Sequence, residues 1–204
     1  MADMKSGVIV KGDLPMAPDG NFQLSGAGGE VVLGKDVKLI GLTKVTFRKG
    51  GGRLVVEDGV ELRGSFNIGN GSSVTIGSGS RINRHCLFYA LEGANIVLGR
   101  DCLLSNSTLR TCDMHSLLDG SGRRINPSRS IVLEDRVWLA ENTYISKGVR
   151  IGHDSVVAAN SVVVKAVEPH TVVGGNPAKT IKTGISWLQK RIPMPASAVD
   201  DDPG

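Results

Sequence analysis

Leu133, Leu139, Ile145, Ile151, Val157 and Val163 recur every six residues without a slip, and four places after each stands Val137, Thr143, Val149, Ser155, Ser161 or Val167. A six-residue beat with an aliphatic at one phase and a small residue at another fits neither an isolated helix of 3.6-residue period nor simple strand alternation. It constrains the chain to a solenoid, in which each unit buries its apolar face only against its neighbours. The beat extends upstream, where Leu33–Leu39, Val56–Leu62, Ile76–Ile82 and Leu98–Leu104 follow the grammar of Leu133–Leu139 and Ile151–Val157. Each reads aliphatic, Gly or Glu, polar, Asp or Gly, small, any, aliphatic.

The pattern predicts an all-β chain wound round a triangular prism, one hexad to a face and three to a coil, with aliphatics stacked inside. Six starts predict roughly six coils. Corners need turn or positive-φ conformations, which Gly, Asp and Asn tolerate, and this accounts for much of the 27 glycines. Uneven spacing between starts places excursions at Gly50 to Arg53, near Glu92 to Asn95 and, longest, between Thr111 and Ser130. Long loops on a rigid scaffold are where function concentrates. The expected organisation is an N-terminal cap or extension over 1–30, a solenoid domain over 31–182, and a C-terminal helix and tail over 183–204. The short amphipathic helix is expected at Ile185–Ile192, and Pro195 to Gly204 as the tail.

Composition narrows the partners. The formal charge of +4 comes from dispersed basic residues rather than an aromatic-interleaved stripe, which argues against nucleic acid. No run approaches the roughly 20 apolar residues of a membrane span, and the start lacks the apolar stretch of a signal peptide, so a cytoplasmic protein is expected. Cys86 and Cys102 fall at inward phases, and an odd cysteine count without a CxxC argues against a disulfide framework or a zinc ribbon.

Four motifs follow in order: Asp113-Met-His115, Val137-Trp-Leu-Ala140, Ala158-Ala-Asn-Ser-Val-Val-Val-Lys165 and Gly175-Asn-Pro-Ala-Lys179. On these, the stretch from Leu98 to Lys182 resembles the hexapeptide-repeat acyltransferases, left-handed parallel β-helix enzymes that move an acetyl group from acetyl-CoA. Within them it looks like the O-acetyltransferases of bacterial surface polysaccharides and the galactoside and xenobiotic acetyltransferases. The left hand is implied by this resemblance alone, since it breaks the right-handed crossover rule. The resemblance also implies a homotrimer with active sites between subunits, acetyl-CoA as co-substrate, a sugar or polysaccharide acceptor, and no metal.

Acetyl transfer to a hydroxyl needs a base that takes the proton as oxygen attacks, and an imidazole titrating near neutrality suits it. His115 is the candidate, because it leaves the regular hexads at the start of the long excursion. Asp113, two residues earlier, is a candidate orienting carboxylate, or a simple turn cap. Cys112 as an acyl nucleophile lacks an activating arrangement apart from His115 itself. Trp138 should point outward, and by resemblance it borders the cleft, although a subunit contact would also use it. Position in the motifs gives Ala140 and Ala159 backbone groups beside the pantetheine arm, and Lys165, Lys179 and Lys182 for the phosphates. Lysine suits phosphate as a point charge. Two departures from the family pattern are Asn160, where Gly is common, and Val164, where Thr often stands. Arg123 and Arg124, with Arg129, would favour a phosphorylated or acidic acceptor if they line its site.

Three rival readings stand beside this one. N-acetylation of a nucleotide-linked amino sugar or small amine is the alternative within the acetyltransferases, whose branches of that kind usually carry different loop and N-terminal features. A γ-type carbonic anhydrase needs paired zinc histidines five residues apart, which His85, His115, His153 and His170 do not supply. A non-catalytic scaffold would have no use for the D-x-H motif.

Overall fold

The computed structural model describes residues 7–13, 22–48 and 50–194, and they wind into a parallel β-solenoid. The first coil holds β1 (Ile9–Lys11) and β2 (Phe22–Gly26), and the second β3 (Glu30–Leu33) and β4 (Lys38–Phe47). β5 (Arg53–Val56) and β6 (Glu61–Ile68) make the third, and β7 (Ser73–Ile76), β8 (Arg81–Ile82) and β9 (Cys86–Ala90) the fourth. The fifth has β10 (Ile96–Leu98), β11 (Leu103–Leu104) and β12 (Thr108–Arg110), and the sixth β13 (Ile131–Leu133), β14 (Trp138–Leu139) and β15 (Tyr144–Ile145). The seventh has β16 (Arg150–Ile151), β17 (Val156–Val157) and β18 (Val162–Val163), followed by β19 (Thr171–Gly174) and β20 (Lys179–Thr183).

The first face is the seven-stranded sheet β1-β3-β5-β7-β10-β13-β16. The second carries β8, β11, β14, β17 and β19, and the third β2, β4, β6, β9, β12, β15 and β18. β4 and β6 turn a corner and serve both of the latter faces: Leu39 pairs with Leu62, whereas Thr43–Phe47 pairs with Gly64–Ile68. The aliphatic phase is buried as the hexad demands, with Leu139, Ile145, Ile151 and Val157 all at 0% exposure, and the small phase beside it is buried too. Where the coils are roomier, Phe66 and Phe88 stack with ring centroids 4.6 Å apart.

Corners take the expected backbone. Asp36, Asp101, Arg136, Asp154 and His170 have positive φ along the edge joining the first and second faces, and Asn106, Asn142 and Asn160 along the edge joining the second and third. Asn160 at φ 57 shows why it can stand where Gly is common, since Asn is among the few side chains that visit this region readily.

Two expectations need correction. There are about seven coils rather than six: the six anticipated starts are the last residues of β3, β5, β7, β10, β13 and β16, and β1 is the additional strand. β1 and β2 pair in register with β3 and β4, in the stretch expected to cap the prism. No helix forms at Ile185–Ile192. Instead Trp187 Nε1 donates to the Arg136 carbonyl at 2.6 Å, while Arg136 Nη2 donates to the Trp187 carbonyl at 2.6 Å, so the segment is held extended against the prism. The anticipated tail from Pro195 lies outside the described residues. Among the described residues no helix is long and apolar enough to cross a membrane.

Candidate active site

The long excursion leaves the third edge of the prism, between β12 on the third face and β13 on the first. Its base is closed by a hydrogen bond from Arg129 N to the Thr111 carbonyl at 3.0 Å. Within it, Ile125 N donates to Leu117 O at 2.8 Å and Asp119 N to Arg123 O at 2.9 Å, so the tip is a small hairpin. Asp119 accepts from Ser121 Oγ at 2.7 Å and from the Ser121 and Arg123 amides, which pulls its carboxyl down to about 2.

Asn126 organises the turn that carries Asp113 and His115. It is 5% exposed, and its Nδ2 donates to Asp113 Oδ2 at 2.7 Å and to the His115 carbonyl at 2.8 Å. Its Oδ1 accepts from Leu117 N at 2.8 Å and Arg124 Nε at 3.1 Å. Lys147, at the same corner one coil on, forms an ion pair with Asp113 Oδ2. The Lys147 ammonium, and after it the Asn126 amide, hold the Asp113 carboxyl below the usual range. Met114 between them sits at φ 66, and the His115 side chain projects into solvent.

The anticipated orienting bond from Asp113 to the imidazole is absent among the described residues. Asp113 is instead engaged by Lys147 and Asn126, and its influence on His115 runs through the backbone of the turn. Arg124 also differs from its expected setting. Its guanidinium grips Glu92 bidentately at 3.0 and 2.8 Å and donates to the Asn126 carbonyl at 3.1 Å, fastening the loop to the prism. Arg123, with an 81% exposed side chain, faces outward with its Nε paired to Asp119 Oδ2 at 3.1 Å, and Arg129 is exposed at the loop's base. Cys112 is buried and touches Met114 Sδ at 3.6 Å, which does not activate a thiol. Burial pushes Cys86 and Cys102 up to about 12, so both stay neutral thiols.

The other candidates divide among the edges. Val163 pairs with Ile145, which puts Lys165 one coil beyond Lys147 on the third edge. There Lys165 and Lys179 line a groove of about 450 Å³ whose remaining wall includes Val164, Ala166, Pro177 and Ala178. Lys182 lies on β20 opposite Val172, outside that lining. Ala140 and Ala159 occupy corners between the second and third faces, so a single chain does not bring them to the lysines. Trp138 points outward on β14 as expected, but the ring it meets is Trp187 of its own chain, at 5.8 Å between centroids.

No protein-family model matches the chain. WbbJ of Escherichia coli K12, named for O-acetyl transfer in lipopolysaccharide biosynthesis, is 30% identical over 145 residues, covering 59% of this chain and 74% of WbbJ. The chain belongs to the hexapeptide-repeat acetyltransferases. A polysialic acid O-acetyltransferase of Escherichia coli O1:K1 is 32% identical over 131 residues, 63% of this chain, and the chain spans only 42% of that relative. The crystal structure of the polySia-specific acetyltransferase NeuO superposes with a TM-score of 0.79 at 29% identity, covering 91% of this chain and 86% of NeuO. The solenoid is accordingly the left-handed β-helix of this family.

In this hexapeptide-repeat acetyltransferase three residues of the candidate site carried no warning in the sequence. Asn126 lies thirteen positions from Asp113, Lys147 thirty-four, and Glu92 thirty-two from Arg124. The only available signal was that Lys147 and Lys165 share one hexad phase.

Proposed function

We propose that this acetyltransferase moves an acetyl group from acetyl-CoA to a hydroxyl of a sugar or bacterial surface polysaccharide, with His115 as general base. The observation that carries the reading is a solvent-facing His115 on the third edge, above a groove on the same edge lined by Lys165 and Lys179. Successive coils lie ~4.8 Å apart, so the groove begins roughly 10 Å from the loop's own coil. The groove offers what the donor needs, an apolar wall for the pantetheine arm and two ammonium groups for phosphate oxygens.

His115 would take the proton of the acceptor hydroxyl as that oxygen bonds to the thioester carbonyl carbon. The tetrahedral adduct then collapses with cleavage of the carbon–sulfur bond, and the imidazolium returns the proton to the departing thiolate. Asp113, Asn126 and Lys147 hold the turn from which His115 projects, while Arg123, through the guanidinium nitrogens not paired to Asp119, would offer charge to an acidic acceptor.

A homotrimer fits this arrangement. Ala140 and Ala159 line a different edge from His115 and Lys165, and a cyclic trimer would set one subunit's second edge against its neighbour's third. Dependence on acetyl-CoA, together with three free buried thiols, favours a cytoplasmic enzyme.

Release of CoA thiol, measured with acetyl-CoA and a panel of sugars, sialic-acid oligomers and amino sugars, tests the proposal. His115→Ala should lower kcat by about 10²- to 10⁴-fold with the melting temperature unchanged. Undiminished turnover in that variant would remove His115 as the base, and acetylation of amines alone would overturn the hydroxyl acceptor.

A further inference from the structure

On the edge between the first and second faces, away from the acetyl-transfer loop, two histidines from consecutive turns meet. His170 N donates to the His153 carbonyl at 2.9 Å, and the two rings approach edge to face with centroids 4.7 Å apart. Asp154 lies beside them, and potential ligand atoms of His153, Asp154 and His170 all fall within 4.8 Å of one another.

The hydrogen bonds around these rings set their tautomers. His153 Nδ1 faces Asp154 Oδ2 at 3.1 Å, and an ionised carboxylate only accepts, so the proton belongs on Nδ1. His170 Nδ1 faces the Ile185 carbonyl at 3.0 Å, which also only accepts. The neutral form of each ring therefore carries its free lone pair on Nε2. Metal-binding histidines are prepared in this way, with the remote N–H donated to a carboxylate or backbone carbonyl. Asp154 is itself fixed, since its Oδ1 accepts from Arg136 Nε at 2.7 Å and Ser186 Oγ at 3.2 Å. With the carboxylate held by Arg136, the ion's protein donors are chiefly the two imidazoles.

We propose that His153 and His170, with Asp154 behind His153, form a site for a single borderline transition-metal ion such as Zn²⁺ or Ni²⁺. Imidazole nitrogen selects such ions over Mg²⁺ and Ca²⁺, which favour oxygen. Access is open, because a groove of about 570 Å³ lined by Glu134, Asp135, Arg136, His153 and Asp154 leads to it. The buried cysteines do not compete as softer donors. A bound ion would link the seventh coil, through His153, to the turn before β19, through His170. His170 also accepts Ile185 N through its carbonyl at 3.0 Å, so the ion would tighten the C-terminal segment whose Trp187 packs on Trp138.

The test is calorimetric titration of tag-free protein with Zn²⁺ and, separately, Ni²⁺, alongside thermal melts at rising ion concentration. Wild-type protein should bind one equivalent and melt higher with increasing ion. His170 has φ 56, so His170→Asn removes the ligand while keeping a residue suited to that backbone. His170→Asn and His153→Gln should each weaken binding about tenfold or more, with ion-free melting near that of wild type, whereas His115→Ala should bind as wild type does. Absence of binding by wild type, equal binding by the His153→Gln/His170→Asn double variant, or loss of binding in His115→Ala would overturn the site.

Discussion

Asn126→Ala isolates the device that holds the histidine turn. The substitution removes two bonds to neutral backbone groups, the His115 carbonyl and the Leu117 amide, and two to charged side chains, Asp113 and Arg124. At about 1 kcal/mol for each neutral bond and about 1.5 kcal/mol for each charged one, the gross loss is about 5 kcal/mol. Asp113, His115 and Leu117 are exposed, so water replaces part of what Asn126 supplied, and a net loss of about 2–3 kcal/mol remains for the loop. That corresponds to a loop-opening constant raised about 30- to 150-fold. Trypsin cleavage after Arg123 and Arg124 reports it, under conditions where reclosing outpaces cleavage. The cleavage rate should rise by that factor. The melting temperature should hold, because the hexad core from Leu133 to Val163 remains intact. An unchanged cleavage rate would refute Asn126 as the organiser, and a parallel fall in melting temperature would show that loop and prism do not open separately.

Asn160→Gly should change stability by less than about 0.5 kcal/mol, since both residues accept left-handed backbone, whereas Asn160→Val should cost about 1–2 kcal/mol; denaturant unfolding decides between them. The Asp119 turn should be pH-sensitive in one direction. Its carboxyl is held at about 2, below its ordinary value, so the turn is fully supported above ~pH 4 and loosens as pH falls toward the folded value. Amide resonances of Ser121 and Arg123 should shift with a midpoint near 2, and a midpoint at the ordinary aspartate value would contradict the turn.

The hexad made most of the prism legible because its information is local: each aliphatic predicts its own burial without knowledge of its partner. The same property located the loop, since an excursion is simply where the beat fails. β1 escaped notice because Ile9–Lys11 borrows its register from β3 instead of carrying a hexad of its own. The Ile185–Ile192 helix failed for a related reason. Its amphipathic spacing is real, yet reciprocal bonds between Trp187 and Arg136, fifty-one positions away, outweigh the few bonds a two-turn helix could make. At the candidate site His115 was visible as a residue type in a motif. Its supports were not, because Lys147 and Glu92 reach the loop only after the coils stack, and Asn126 meets Asp113 and His115 only once the loop folds back on itself.

The closed base of the loop has a consequence for how such a molecule can change. Thr111 and Arg129 meet through one backbone bond, and β10 and β13 pair Ile96 to Ile131, Val97 to Val132 and Leu98 to Leu133 as though nothing lay between them. Residues can be gained, lost or replaced inside this insertion without displacing a single hexad. Heredity can thus rewrite the hairpin tip between Leu117 and Ile125 while leaving the scaffold and the turn that carries His115 in place, and a protein engineer can treat that tip as a cassette.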